Sequence, residues 1–192
     1  MRNAKLLLGV FVVLCCSGFA LGQMAMPAAK TPGDALNAIL DIGSGEFTGA
    51  ADAMPEDKYS FAPTAGEFKG VRTFAQQVKH VAAVNYIFGS GILQEKPPVD
   101  IGGENGPDAL KTKAEIMKFL NDSFAYLHKA LASITDKNEL DQVPSPFGDG
   151  SKVTRLSMGA FANAHPFDHY GQMVEYLRMN GIIPPASRPQ KK

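Results

Sequence analysis

The sequence predicts an all-α protein, a four-helix bundle. Three observations carry that prediction. Apolar residues recur at helical spacing in four separate stretches, each roughly 18 to 26 residues long. No stretch shows the sustained apolar–polar alternation of a strand. The segments between them are long and rich in Pro and Gly, as connections are. With 45% of its 192 residues hydrophobic and 20% charged, the chain can build one sizeable core.

The elements follow in order. Arg2 and Lys5 precede an apolar run over residues 6–21, and Ala20-Leu21-Gly22 then supplies small residues before Gln23. This is the three-part layout of a secretory signal peptide, so residues 1–22 are expected to direct export and be removed. The run is shorter than the roughly 20 residues a bilayer-spanning helix needs. After cleavage no stable membrane span is expected, and the mature protein would be periplasmic or secreted. Both cysteines, Cys15 and Cys16, lie inside this segment. The mature chain therefore has neither disulfides nor thiolate ligands or nucleophiles, although disulfides are available outside the cytoplasm.

Thr31-Pro32 reads as the start of the first helix, with Pro at a position where its missing N–H costs nothing. Leu36, Ile39, Leu40, Phe47, Ala50 and Met54 form its stripe, Gly43 and Gly45 weaken its middle, and Pro55 ends it. A loop with aromatic anchors, Tyr59 and Phe61, leads to Thr73, which makes a capping box with Gln76. The second helix carries Phe74, Val78, Val81, Val84 and Phe88, and Gly89-Ser90-Gly91 should stop it. Residues 92–111 form a long crossing connection. Thr112 and Glu115 make a second capping box, followed by Ile116, Leu120, Phe124, Leu127, Leu131 and Ile134, the cleanest amphipathic helix of the chain. Residues 136–152 are again polar. The last helix starts near Thr154 and ends at Gly181 and Pro184-Pro185, the usual order of stop signals. Pro166 inside it should kink the helix between Asn163 and Phe167, at a cost of about 3 kcal/mol.

Chemistry concentrates at His165-Pro166-Phe167-Asp168-His169. Residues four apart on a helix project from one side, so His165 and His169 can act together. His80 lies in the second helix, at the edge of its inward face. A lone helical histidine is more often structural, and an i, i+4 pair also arises by chance. A pair joined by a third histidine on another inward face favours a site that holds a divalent metal ion. The glutamate of the His-Glu-x-x-His signature is missing, which argues against peptide hydrolysis by that route. His128 has no neighbour at ligand spacing and reads as structural. Asp168 points about 100° away from His169, so exposure or capping suits it better. Gln76, Gln77, Tyr170 and Gln172 are candidates to orient the imidazoles by hydrogen bonds. The methionines sit at core spacing and do not read as copper ligands. Lys+Arg and Asp+Glu both number 19 and are scattered, so nothing points to nucleic acid.

These residues also resemble a known family. His80, His165-x-x-x-His169 and the run His169-Tyr170-Gly171-Gln172-Met173 are similar to the DinB/YfiT-like metalloenzymes. Tyr59-x-Phe61-x-Pro63, Thr73-Phe74-x-x-Gln77-Val78-x-His80-Val81 and Asn180-Gly181-Ile182-Ile183-Pro184-Pro185 add to the likeness, which spans nearly all of residues 31–188. The resemblance implies one bundle domain over 31–188, with up-down-down-up topology. It also implies a divalent ion, commonly zinc or nickel, on His80, His165 and His169, and frequent homodimers. Relatives with established chemistry are cytosolic transferases or isomerases that use a small thiol, which an exported protein would meet rarely.

Three imidazoles leave a coordination position for water or a small-molecule substrate, the pattern of a catalytic site. The leading expectation is a metal-dependent hydrolase or transferase whose substrate the sequence does not name. The alternatives are a non-catalytic bundle that binds a metal or ligand, and a metal-free bundle with vestigial histidines.

Overall fold

The computed structural model describes residues 28–189; the expected signal peptide, 1–22, lies outside them. Four long helices account for more than half of the described residues: α1 (Pro32–Ala53), α2 (Phe74–Leu93), α3 (Lys113–Ala132) and α4 (Arg155–Met179). Each begins at a threonine. The side-chain oxygens of Thr31, Thr73, Thr112 and Thr154 accept from the backbone N–H three residues on. In the first three helices a carboxylate or amide at that third position returns the bond to the threonine N–H. Two backbone donors with no helical partner are thereby satisfied at each start. Asp34 plays this part in α1, alongside Gln76 and Glu115 in the two boxes the sequence predicts.

Side-chain pairs set the helix directions. Asn85 meets Ser123 and Ser90 meets Tyr126, so α2 and α3 run parallel. Asn163 Nδ2 donates to the Leu36 carbonyl and Phe167 lies against Gly43, so α1 and α4 are parallel too. Gln77 pairs with Gln172 while Phe88 packs on Phe161, which makes α2 and α4 antiparallel. Gly33 N–H donates to Ile134 O at one end and Lys113 Nζ reaches Asp52 at the other, making α1 and α3 antiparallel. The topology is up-down-down-up. Parallel neighbours cannot be joined by a short turn, so the connection from α2 to α3 must return along the bundle, about 30 Å for a 20-residue helix. On its way it lays a short 3-10 turn, Gly103–Asn105, against α2.

Side chains from all four helices interdigitate in the core, among them Leu40, Phe47, Val81, Leu120, Leu127 and Met173, all fully buried. Each such side chain contributes roughly 1.5–3 kcal/mol by leaving water. Among the described residues, no helix is long and apolar enough to cross a membrane.

Local details depart from expectation for packing reasons. The glycines at 89 and 91 do not end α2, which continues to Leu93 and stops at Gln94 with φ +57°. They permit close approach instead: a Cβ at 89 would come within 2.7 Å of the Tyr126 ring, and one at 91 within 2.6 Å of Met158 Sδ. α3 ends at Ala132, before Ile134, which is still fully buried. α4 stays helical through Pro166, as a proline-kinked helix also does. Its end is a Schellman turn, with Ile182 N–H donating to Leu177 O and Gly181 N–H to Arg178 O, while Gly181 takes φ +73°. The polar segment between α3 and α4 contains a small antiparallel ribbon, β1 (Gln142–Pro144) and β2 (Lys152–Thr154), pairing Val143 with Val153. Three-residue strands are too short to leave a readable alternation.

Candidate metal centre

His80 comes from the middle of α2, and His165 and His169 from successive turns of antiparallel α4. The crossing brings all three imidazoles together. One ring nitrogen from each lies within 4.8 Å of the others. His80 Nε2 and His165 Nε2 face each other at 3.2 Å. The ring centroids are 4.5 Å apart for His165 and His169, and 4.8 Å for His80 and His169.

Hydrogen bonds decide which nitrogens point inward. His80 Nδ1–H donates to the backbone carbonyl of Glu104 at 2.6 Å, because a carbonyl has no proton to offer. Its Nε2 therefore carries a lone pair toward the cluster. His169 Nδ1 meets Gln77 Oε1 at 2.7 Å and is oriented in the same way. His165 Nδ1 is buried and has no hydrogen-bond partner among the described residues. Two of the imidazoles thus present unshared electron pairs to one point, and the third adds a nitrogen beside them.

Burial keeps the three rings uncharged. It lowers the pKa of His165 to about 3, with neighbouring His169 and His80 and the Arg72 cation adding to the effect. His169 falls to about 4 for the same leading reason, helped by His80 and opposed by Asp168. Burial also lowers His80, against the opposing pull of the Glu104 carbonyl. Neutral imidazole is the form that ligates a metal. Three convergent neutral imidazoles, two with their outer nitrogens anchored, form a donor set that could hold a metal ion.

Beside the cluster opens a polar cleft of about 730 Å³, lined by Arg72, Gln76, Gln77, Glu104, Asn105 and Gln172 among others. It stops one layer short of the histidines, at Gln77 and at Glu104, whose carbonyl holds His80. Arg72 is braced by Asn105 Oδ1 and lies 3.8 Å from Glu104 Oε1. An apolar recess of about 300 Å³, with Phe68, Tyr176 and Met179, adjoins it through Val71 and Gln172.

Other sequence candidates fall into place around this geometry. Gln76 spends its amide oxygen on the Thr73 cap. Tyr170 packs against the core. Asp168 is exposed, as expected, and accepts from Gln172 Nε2 at 3.4 Å. His128 lies apart and joins α3 to α1 through Asn37, at 2.9 Å. Sequence reasoning missed Glu104 and Arg72. Glu104 acts through a backbone carbonyl, which leaves no residue-type signal. Arg72 is an ordinary loop arginine until the fold carries it to the cleft.

Known proteins agree with this architecture. None of the curated proteins matches the chain. Among solved structures, the fold is similar to a DinB-like protein from Bacillus subtilis, with a TM-score of 0.61, 15% identity, and coverage of 81% of this chain and 99% of that one. It is also similar to a DinB-like protein from Bacillus cereus ATCC 10987, with a TM-score of 0.59, 17% identity, and coverage of 78% and 95%. At such identities the likeness concerns the fold alone. At the level of sequence, residues 39–173 match the DinB superfamily, a stretch that holds α2, α3 and all three clustered histidines. The chain belongs to the DinB superfamily.

Proposed function

We propose that this is an exported, metal-dependent enzyme in which His80, His165 and His169 hold one divalent ion, zinc or nickel. The reaction is hydrolysis or group transfer on a small molecule bound in the adjoining cleft. One observation carries the reading: ring nitrogens from two helices converge within 4.8 Å, with the lone pairs of His80 and His169 turned inward by Glu104 and Gln77. When bound, the ion would lower the pKa of a coordinated water or polarise a substrate carbonyl. The chain's own part is to hold three neutral imidazoles, limit water, and offer the polar cleft wall to the substrate.

A second reading, a non-catalytic bundle that binds the metal, is favoured by one feature. The cleft ends at Gln77 and Glu104, so the histidines do not line it. Elemental analysis of protein purified without a histidine tag tests both readings, which expect one equivalent of metal, lost in His169→Ala. Protein that carries and takes up no ion would overturn both. A hydrolase and transferase screen on the loaded protein then separates them, since only the enzyme reading expects turnover that His169→Ala abolishes. Export is tested by sequencing the N-terminus of mature protein, which should begin at Gln23.

A further inference from the structure

We infer that Gln77 and Gln172 form a one-way amide relay that fixes which nitrogen of His169 faces the cluster, making both glutamines positioning residues. The metal consequence rests on the reading above; the relay itself does not.

The direction follows from what each group can donate. The Asp168 carboxylate can only accept. Gln172, one turn further along α4, therefore turns its NH2 toward Asp168, with Nε2 3.4 Å from Oδ2. That leaves Gln172 Oε1 facing Gln77, whose Nε2 donates to it at 2.8 Å. Gln77 Oε1 is then the only end of that amide left for His169, and it accepts from Nδ1–H at 2.7 Å. His169 Nε2 is left with its lone pair toward the other imidazoles. Reversing either amide would set an NH2 against Nδ1 and force the proton onto Nε2, where it would occupy the metal-facing electron pair.

Gln77 is only 2% exposed, so leaving either end of its amide without a protein partner is costly. Its orientation is set by Gln172, which has no hydrogen bond to the histidine among the described residues. For His80 a backbone carbonyl does the same task in one step, with no side chain able to flip. His165 has no such partner among the described residues. The relay thus supplies to His169 by side chains what the Glu104 carbonyl of the return segment supplies to His80.

The test reads ring-nitrogen chemical shifts of 15N-histidine in the purified metal-free protein, and zinc affinity by competition with a chelator. Wild type should show His169 with its proton on Nδ1. Gln172→Met keeps the volume but frees Gln77 to flip, so the proton should shift toward Nε2 and zinc affinity should fall about 10–100-fold. Gln77→Glu cannot flip, because a carboxylate has only acceptors. It should keep the Nδ1 proton and near-normal affinity, and should keep them when Gln172→Met is added. An unchanged His169 tautomer in Gln172→Met overturns the relay. So does a double variant that loses as much affinity as Gln172→Met alone, or a wild-type His169 protonated on Nε2. If wild type binds no zinc, the metal reading fails, and the ring-nitrogen pattern still decides the relay.

Discussion

His165 and His169 are held near pKa 3 and 4 by burial, well below the 6.5 of a free imidazole, and that has a consequence for stability. An unfolded chain would take up protons on these rings as pH falls below 6.5, whereas the folded chain refuses them until pH is near 4. The metal-free protein should therefore keep its full stability above about pH 7 and lose it progressively as pH falls toward 4. The capping carboxylates Asp34 and Glu115 are held low by backbone N–H groups, so they add their own losses only at more acid pH. Urea unfolding between about pH 7 and 5 isolates the histidines. His165→Leu should flatten the decline across that window, and an unchanged slope would show that the ring is not held neutral by burial.

Among the helices and their connections, the return segment between α2 and α3 is the element that ties fold to site. Its Gly106 has φ +76°, and a Cβ there would lie 2.7 Å from Lys79 Cβ, one residue from His80. With ψ 164° this is a region that essentially only glycine occupies, so Gly106→Ala should cost about 1–3 kcal/mol in backbone conformation alone. It should also lift the segment from α2, weakening the Glu104–His80 bond and with it zinc affinity. Gly103→Ala is the control: φ is +70° there too, yet nothing lies within 4 Å. It should lose a similar amount in chemical unfolding while zinc affinity stays constant. Gly89→Ala probes packing away from the site. Its Cβ would press on the Tyr126 ring at 2.7 Å, so unfolding should show a loss of about 1–3 kcal/mol with the histidine cluster undisturbed. The same glycines mark where the sequence could be read and where it could not. Helix starts were legible because Thr73-x-x-Gln76 and Thr112-x-x-Glu115 satisfy local backbone donors, a signal contained in four residues. The grouping of His165 with His169 was legible from helical spacing, and that of His80 from its place at the edge of an inward face. The end of α2 was not, since Gly89 and Gly91 look like stops and their purpose is contact with α3 and α4. Glu104 and the small ribbon escaped because one acts through its backbone and the other is only three residues deep per strand.

Taken as a whole, the bundle places three of its four histidines across one interface, between antiparallel α2 and α4, while the fourth, His128, lies apart on α3. An ion held there would bind the native arrangement and not the unfolded chain, so its binding free energy adds to folding stability. At a free zinc concentration 100 times the dissociation constant, the gain is about 2.7 kcal/mol. For a domain of this size each kcal/mol raises the melting temperature by about 2–4 °C, so zinc should raise it by roughly 5–10 °C, and a strong chelator should reverse the shift. His80→Ala removes the only contribution from α2 and should abolish the response, because a pair on one helix no longer links it to another. Hydrogen exchange gives the same expectation a location. Zinc should slow exchange along α2 and α4 around the three residues before it affects the far end of α1. A melting temperature indifferent to zinc in the wild type would mean that the convergence of the three rings does not make a metal site.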